Sequence, residues 1–198
     1  MLLEDDMVLL SALPVEDFKA HLRLGRGFTG DTVQDAVLES FLRAAMAAVE
    51  ARTGKVTITR AFTWTLPRWT EPREQPLPLA PVTAITEVAL IDADGAEEVV
   101  DPLRYRLEKD AHFPALAGRS AGLPWPPSDG SIRVRFTAGY GSAWSDMPPD
   151  LAQAVMLLAS HYYENREATA LGSGCMPFGV TSLLERYRPM RLFSGGRP

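Results

Sequence analysis

Residues 56–66 read VTITRAFTWTL, and apolar and polar side chains alternate through the stretch almost without a break. The apolar positions are Val56, Ile58, Phe62, Trp64 and Leu66. Arg60 is the one charged residue on the apolar side. A period of two with β-branched and aromatic residues is typical of a half-buried strand. The stretch therefore predicts a strand, and because helical patterns lie on both sides of it in the chain, it decides the class of the fold.

The segment before this strand carries the period of helices. Pro14 favours a helix start, so we predict a short helix over residues 14–22. Asp31 and Gln34 have the spacing of a capping box, and the apolar stripe that follows predicts a helix over 32–52. Gly54 supplies its stop. We assign residues 1–54 to the N-terminal helices of a bundle.

The middle of the chain, residues 55–147, has the signals of a small antiparallel β module. Five prolines between 67 and 81 exclude a helix interior and a central strand there. Asp94-Gly95 predicts a tight hairpin turn, and a loop rich in glycine and proline covers 118–130. About five strands are predicted, at residues 56–66, 85–91, 97–100, 104–107 and 132–137.

Helical pattern returns after the β module. Pro148-Pro149-Asp150 opens a predicted helix that ends near residue 165, and 180–187 holds one more short helix. Residues 148–188 are therefore the C-terminal helices of the bundle, and 189–198 are a C-terminal tail. The sequence predicts an α+β fold, a small bundle of about four helices with the β module inserted between the second and third.

Composition excludes several classes of protein. The chain has 198 residues, a single cysteine and a net charge of −5. One cysteine gives no intrachain disulfide and no cysteine-built zinc site. No apolar run reaches the roughly 18 residues of a membrane span, and the acidic start is unlike a secretory signal. A net negative charge disfavours a general nucleic-acid binder, because phosphate neutralisation needs a basic surface.

The patterns that suggest metal or nucleotide binding are all incomplete. His161 and Glu164 share a helix face, but the second copy that a di-iron bundle needs is missing. Residues 92–95 (DADG) lack the calcium-loop glycine at position six and glutamate at position twelve. Residues 139–142 (GYGS) lack the lysine of a phosphate-binding loop. We predict no metal and no cofactor.

Two residues are candidate nucleophiles. Ser120 lies in GRSAG, which has the letters of a hydrolase nucleophile elbow, but the proline-rich residues 123–127 after it exclude the required helix. Cys175 lies in a loop of small residues, with His161 as the base it would need from elsewhere in the fold. We predict no catalytic residue and no enzyme.

Two stretches favour contacts with other proteins. Residues 186–197 mix arginines with Tyr187, Met190, Leu192 and Phe193, the residue types that protein interfaces over-use. The proline-rich stretch around Trp69 is either a rigid arm that reaches a neighbour or a stiff loop.

The ordered set of short motifs resembles the head–tail connector (adaptor) proteins of long-tailed phages and of related gene transfer agents. The motifs span about residues 12–190, and the most telling are ASHYYENRE at 159–167, PFGV at 177–180 and LLERYR at 183–188. The others are FKAHLR at 18–23, AAVEARTG at 47–54, LPLAPV at 77–82, DADG at 92–95, FTAGYG at 136–141 and MPPDL at 147–151.

The resemblance implies a structural virion protein, made in the host cytoplasm, at the head–tail junction of a virion or virus-like particle. Such adaptors form a homo-oligomeric ring, usually a dodecamer, between the portal protein and the stopper or tail-terminator protein. The ring extends the DNA channel, and DNA passes through its lumen without sequence-specific binding. In this family the C-terminal segment engages the portal, which makes the expected portal-facing residues Leu184, Tyr187, Arg188, Arg191 and Phe193.

A closed ring joins two different patches of each subunit, so opposite charges on different faces help to set its register. The acidic N-terminal third and the basic C-terminal tail fit that requirement. Two alternatives remain: another virion ring, such as a tail-completion or stopper protein, and a small hydrolase that uses Cys175 or Ser120 with His161 as base.

Overall fold

The computed structural model describes residues 1–24, 32–119, 122–166 and 176–188. Within these residues the helices are α1 (Val15–His21), α2 (Thr32–Thr53), α3 (Pro149–Glu164) and α4 (Phe178–Leu184). The strands are β1 (Leu2–Glu4), β2 (Arg60–Leu66), β3 (Glu74–Pro76), β4 (Val82–Ile91), β5 (Glu97–Val99), β6 (Tyr105–Glu108), β7 (Ala115–Gly118) and β8 (Ser131–Ala138). The predicted α+β fold, with its β module between the second and third helices, is confirmed.

The strands form two antiparallel sheets. The larger has five strands in the order β1-β2-β8-β4-β5, and the smaller has three in the order β3-β7-β6. β1 and β5 are therefore the two opposite edges of the larger sheet. All three residues of each of these edge strands are exposed.

The prediction of about five strands was too low. β1, β3 and β7 were not predicted, because strands of three or four residues contain too few alternations for a period of two to be recognised. The predicted strand 56–66 begins only at Arg60, and before it Lys55 and Ile58 make single bridges to Ala80 and Gly141. The predicted cap at Asp31 lies outside the described residues.

Two hydrophobic cores stabilise the helices and the two sheets. The bundle core is built by the helices, with Phe18, Leu38, Leu42, Leu151 and Leu158 almost fully buried. The sheet core contains Phe136, Ile132 and Leu116 from the strands, and Trp69 of the proline-rich stretch packs in it. The Trp69 indole N–H donates to the carbonyl of Pro124 at 2.7 Å. Trp69 is thus a core residue that ties two loops together.

The chain enters and leaves the β module at neighbouring points, because β2 and β8 pair side by side. Beyond the paired strands, the Thr59 N–H donates to the Gly141 carbonyl at 2.8 Å. Gly139 has φ +137, and a Cβ there would lie 2.4 Å from the Thr59 Cα. Only glycine fits this close approach.

Candidate partner-binding surfaces

Arg60, the exception in the alternating stretch, joins three parts of the molecule. Its guanidinium lies 2.7 Å from Glu50 on α2 through Nη2 and 2.7 Å from Glu4 on β1 through Nε. Glu50 also accepts hydrogen bonds from the Thr57 backbone N–H at 2.8 Å and from its hydroxyl. A glutamate near the C-terminal end of a helix is disfavoured by the helix dipole, and these three donors compensate for that cost at Glu50.

The Arg60 side chain is only 6% exposed, so its charge must be compensated inside the protein. Burial by itself lowers the pKa of the guanidinium, but the bonds to Glu50 and Glu4 outweigh burial and raise that pKa. The guanidinium therefore stays charged, and its bonds fix β1 to both the sheet and the bundle.

The N-terminal arm, residues 1–10, carries apolar side chains that point to solvent. Met7 is 83% exposed and Leu9 is 72% exposed, although the backbone of the arm is held in place. The Arg43 guanidinium donates to the Val8 carbonyl at 2.8 Å, and the Asp5 N–H donates to the Ala61 carbonyl at 3.0 Å. A fixed backbone with outward apolar side chains is typical of a surface that another protein covers.

The opposite edge of the large sheet also exposes apolar side chains. We call residues 97–104, together with Arg119, the β5 corner; it consists of β5, a 3-10 turn at Pro102–Arg104 and the facing end of β7. Val99 is 60% exposed and Leu103 is 77% exposed. The Asp101 carboxylate accepts from the Leu103 N–H at 2.8 Å and so caps the turn that presents Leu103.

Two arginines stand side by side at this corner. Tyr105 pairs with Gly118, and one step further the Arg119 N–H donates to the Arg104 carbonyl at 2.8 Å. Within the described residues, neither guanidinium has a carboxylate partner, and Arg119 Nε donates only to the Tyr105 carbonyl at 3.2 Å. Glu98 and Asp101 are exposed at the same corner, which therefore carries charges of both signs.

The C-terminal end of the described chain is anchored by a second polar cluster. The Tyr187 hydroxyl donates to Asp150 Oδ1 at 2.5 Å, and Arg186 Nη2 donates to the same hydroxyl at 2.6 Å. Arg186 Nε lies 2.8 Å from Asp150 Oδ2. Asp150 belongs to the first turn of α3, so the cluster ties residues 185–187 to the start of that helix.

Tyr140 lies next to this cluster. Burial, followed by the negative charge of nearby groups including Asp150, raises the pKa of Tyr140 to about 12. Burial likewise raises the pKa of Tyr187, and its bond to Asp150 adds to the effect. Both hydroxyls therefore stay protonated and able to donate at neutral pH.

The structure separates the five residues expected to face the portal. Leu184 is 0% exposed and Tyr187 is 6% exposed, and both pack in the bundle core. Arg188 is exposed at the end of the 3-10 turn. Arg191 and Phe193 lie outside the described residues. Leu184 and Tyr187 therefore hold the segment from which the tail continues.

The candidate chemical residues form no assembled site among the residues that the structure describes. His161 Nδ1 lies 3.1 Å from the Asn165 side-chain nitrogen on the same helix. Ser120 and Cys175, the candidate nucleophiles, lie outside the described residues. No group of three or more metal-ligating side chains occurs in the described part of the chain. None of its helices has the length and apolar character needed to cross a membrane.

Sequence reasoning missed the arm and the β5 corner for different reasons. The arm has a signal, since apolar residues at 1–3 and 7–10 precede the first predicted helix and fit neither helical nor strand period. The Arg104–Arg119 pair has no signal in the sequence, because the two residues become neighbours only when β6 and β7 align. The strand β7 was not predicted.

Three solved structures are similar to the chain over its whole length. A chain in the neck of an empty gene transfer agent (GTA) particle, computed with C6 symmetry, is 47% identical with a TM-score of 0.89, and the match covers 100% of both chains. A chain in the virion of a native GTA particle is 46% identical with a TM-score of 0.85 over 98% of both. A chain in the neck of a native GTA particle, computed with C12 symmetry, is 44% identical with a TM-score of 0.84 over 100% of both.

No protein-family model and no curated protein matches the chain. The solved relatives are chains of particle necks, so the class of protein is a structural virion neck protein. At this level of identity over the full length, the chain belongs to the family of gene transfer agent neck proteins. Its place is in the particle, at the head–tail junction.

Proposed function

We propose that the protein is the head–tail connector, or adaptor, of such a particle: a ring between the portal protein and the stopper or tail-terminator protein that extends the DNA channel. The observation that carries the proposal is the match to a neck chain, which leaves no part of either chain uncovered. An unmatched extra domain in either chain would have favoured a different role, and there is none in this match.

The proposed ring contains twelve copies. One related neck was computed with C12 symmetry and the other with C6 symmetry. A twelvefold ring also obeys sixfold symmetry, so a dodecamer is compatible with both. Rings of this kind join two unlike patches of the subunit, and the chain has unlike exposed patches in its arm and its β5 corner.

The C-terminal segment is the proposed portal contact. Leu184 and Tyr187 anchor it from inside, Arg188 is exposed, and Arg191 and Phe193 follow in the sequence. Because the Tyr187–Asp150 bond fixes the exit point, the tail leaves each subunit of a ring at the same position. Twelve equivalent tails then present arginine and aromatic side chains to one partner, which suits a symmetric contact.

The proposed lumen lets DNA pass without sequence-specific binding. The net charge of −5 supports this, because a channel that neutralised many phosphates would hold the duplex back. Replacing exposed acidic residues of the lumen with lysine should therefore slow DNA release from the particle. Unchanged release after that replacement would contradict this part of the proposal.

Native mass spectrometry of the purified chain, with and without portal rings from the same particle, tests the function. The expected result is a symmetric multiple of the chain on the portal. Deletion of residues 189–198 should abolish portal binding while the remaining fold keeps its Tyr187 anchor, and the matched control is replacement of the same ten residues by a glycine-serine stretch. A chain that ignores the portal and assembles on tail-tube protein would instead be a tail-completion protein.

A further inference from the structure

A groove opens between the end of the N-terminal arm and the turn at residues 142–145, which leads into α3. Its volume is about 420 Å³, and it is lined by Leu9, Leu13 and Asp17 on one side and by the turn on the other. Leu9 and its neighbour Leu10 are mostly exposed. We call this feature the arm groove, and its volume is in the range of pockets that hold a ligand.

The walls of the arm groove carry charge of one sign. Residues 5–17 and 142–146, which form and flank the walls, contain five carboxylates and no lysine or arginine. One of these carboxylates, Asp17, lines the groove itself. Lys19 and Arg43 contact these segments from the helices, but carboxylates within 2.8 Å already neutralise both. The groove therefore favours an apolar occupant that brings positive charge.

One segment of the chain has the complementary composition. Residues 188–197 read RPMRLFSGGR, with three arginines, three large apolar side chains and no acidic residue. Arginine binds carboxylates and also stacks on aromatic rings. The groove offers both, because Trp144 lines it together with Asp17. The segment thus matches the groove in charge and in apolar character.

The same segment begins close to the groove. The Tyr187 hydroxyl donates to Asp150, and Tyr140 lies next to this pair, two residues before the groove wall at Ser142. Ten extended residues span roughly 33–36 Å, so the segment can reach the groove of its own subunit. A segment tethered this closely meets the groove at an effective concentration on the order of millimolar. That favours docking within one copy over docking on a second copy.

We infer that residues 188–197 dock in the arm groove of the same subunit while that subunit is free of the portal. An arginine of the segment pairs with Asp17, and Leu192 and Phe193 cover Leu9 and Trp144. The portal and the groove then compete for the same side chains, so portal binding opens the groove. This competition rests on the proposed function, whereas the docking itself does not.

A fluorescently labelled synthetic peptide of residues 188–197 tests the docking by fluorescence anisotropy. A chain without residues 189–198 leaves the groove open and should bind the peptide. The full chain should bind it at least tenfold more weakly, because its own segment occupies the groove. On portal rings the full chain should bind the peptide as well as the truncated chain does, since the portal then holds the segment.

Variants of the truncated chain test the two parts of the contact. Asp17→Lys reverses the charge in the groove and should weaken peptide binding at least fivefold. Leu9→Ser removes an exposed apolar side chain of the wall and should weaken it as well. Asp94→Lys is the matched control, since it makes the same change in net charge at an exposed position in the hairpin between β4 and β5, and its binding should be unchanged.

A second peptide separates specific docking from general charge attraction. It carries Leu192→Ser and Phe193→Ser but keeps all three arginines, and it should bind the truncated chain at least fivefold more weakly than the first peptide. Equal binding of the two peptides would show attraction by charge alone and would overturn the docking. Far-ultraviolet circular dichroism of every variant checks that the fold is intact.

The outcomes separate the inference from the proposed function. If the truncated chain does not bind the peptide, or if Asp17→Lys and Leu9→Ser bind it unchanged, the docking is wrong. If the weaker binding of the full chain disappears on dilution, a second copy supplies the occupant and docking within one subunit is overturned. Portal binding without peptide binding refutes the inference alone. Peptide binding by a chain that ignores the portal refutes the proposed function and supports the docking.

Discussion

The guanidinium of Arg60 on β2 lies 2.7 Å from the carboxylate of Glu50 on α2, and both side chains are mostly buried. The same guanidinium reaches Glu4 on β1, so one side chain connects the bundle, the sheet and the arm. Removing a single partner of a buried ion pair leaves an uncompensated charge in the interior.

Arg60→Met should therefore lower the free energy of unfolding by about 3–5 kcal/mol. Urea denaturation followed by circular dichroism measures this. The control is Arg106→Met, which removes an exposed pair with Glu108 and should cost at most about 1 kcal/mol. Equal losses in the two variants would contradict the connecting role of Arg60.

Gly139→Ala should destabilise the protein by at least about 1–3 kcal/mol, because a side chain at φ +137 is strained and its Cβ meets the Thr59 backbone. Gly179→Ala is the matched control. Gly179 is the second residue of α4, and a Cβ there would meet no atom within 4 Å, so alanine should stabilise the helix by at most about 0.5–1 kcal/mol. In thermal unfolding we expect Gly139→Ala to lower the stability and Gly179→Ala to raise it. A change in the same direction in both variants would contradict this prediction.

Tyr187→Phe keeps the buried ring but removes the hydroxyl that bonds to Asp150 and Arg186. We expect a loss of about 1.5–3 kcal/mol in unfolding free energy, the range for a hydrogen bond to a charged group. Tyr163→Phe is the comparison, since within the described residues its hydroxyl makes no hydrogen bond and its ring packs edge-on against Phe41. If Tyr187→Phe were as stable as Tyr163→Phe, the bond between the Tyr187 hydroxyl and Asp150 would not anchor this segment.

Stability should fall at alkaline pH because of Tyr140. The folded protein raises the pKa of this hydroxyl from 10.0 to about 12, so the protonated form is favoured by folding. Its contribution is complete below pH 10.0 and is lost as the pH rises towards about 12. Unfolding free energy measured across that window should decline less steeply in Tyr140→Phe. Identical slopes would show that Tyr140 is not the group responsible.

The amphipathic helices and the long strands were predictable because each repeats its period over enough residues. α2 and β8 carry apolar residues at regular spacing, and both lie close to the expected positions. β3 and β7 were not predictable, because their three or four residues become strands only through pairing with each other and with β6. Tertiary pairing, and not local propensity, determines the small sheet.

The candidate surfaces were likewise predictable only in part. The chemistry of the C-terminal segment was visible in its arginine and aromatic residues, but the burial of Leu184 and Tyr187 was not, since a short helix shows which face is apolar only against its neighbours. Arg60 was recognised as an exception in its strand. Its compensation by Glu4 depends on the pairing of β1 with β2, and its compensation by Glu50 depends on the position of α2.

The pairing of β2 with β8 has a consequence for the order in which the chain folds. The contacts between α2 and α3 join segments separated by residues 54–148, and closing a flexible loop of that length costs conformational entropy. Once β8 has added to β2, the two ends of the β module are already neighbours and most of that entropy is lost before the helices meet. The β module should therefore form early, and the bundle should close last, when α3 and α4 have left the ribosome.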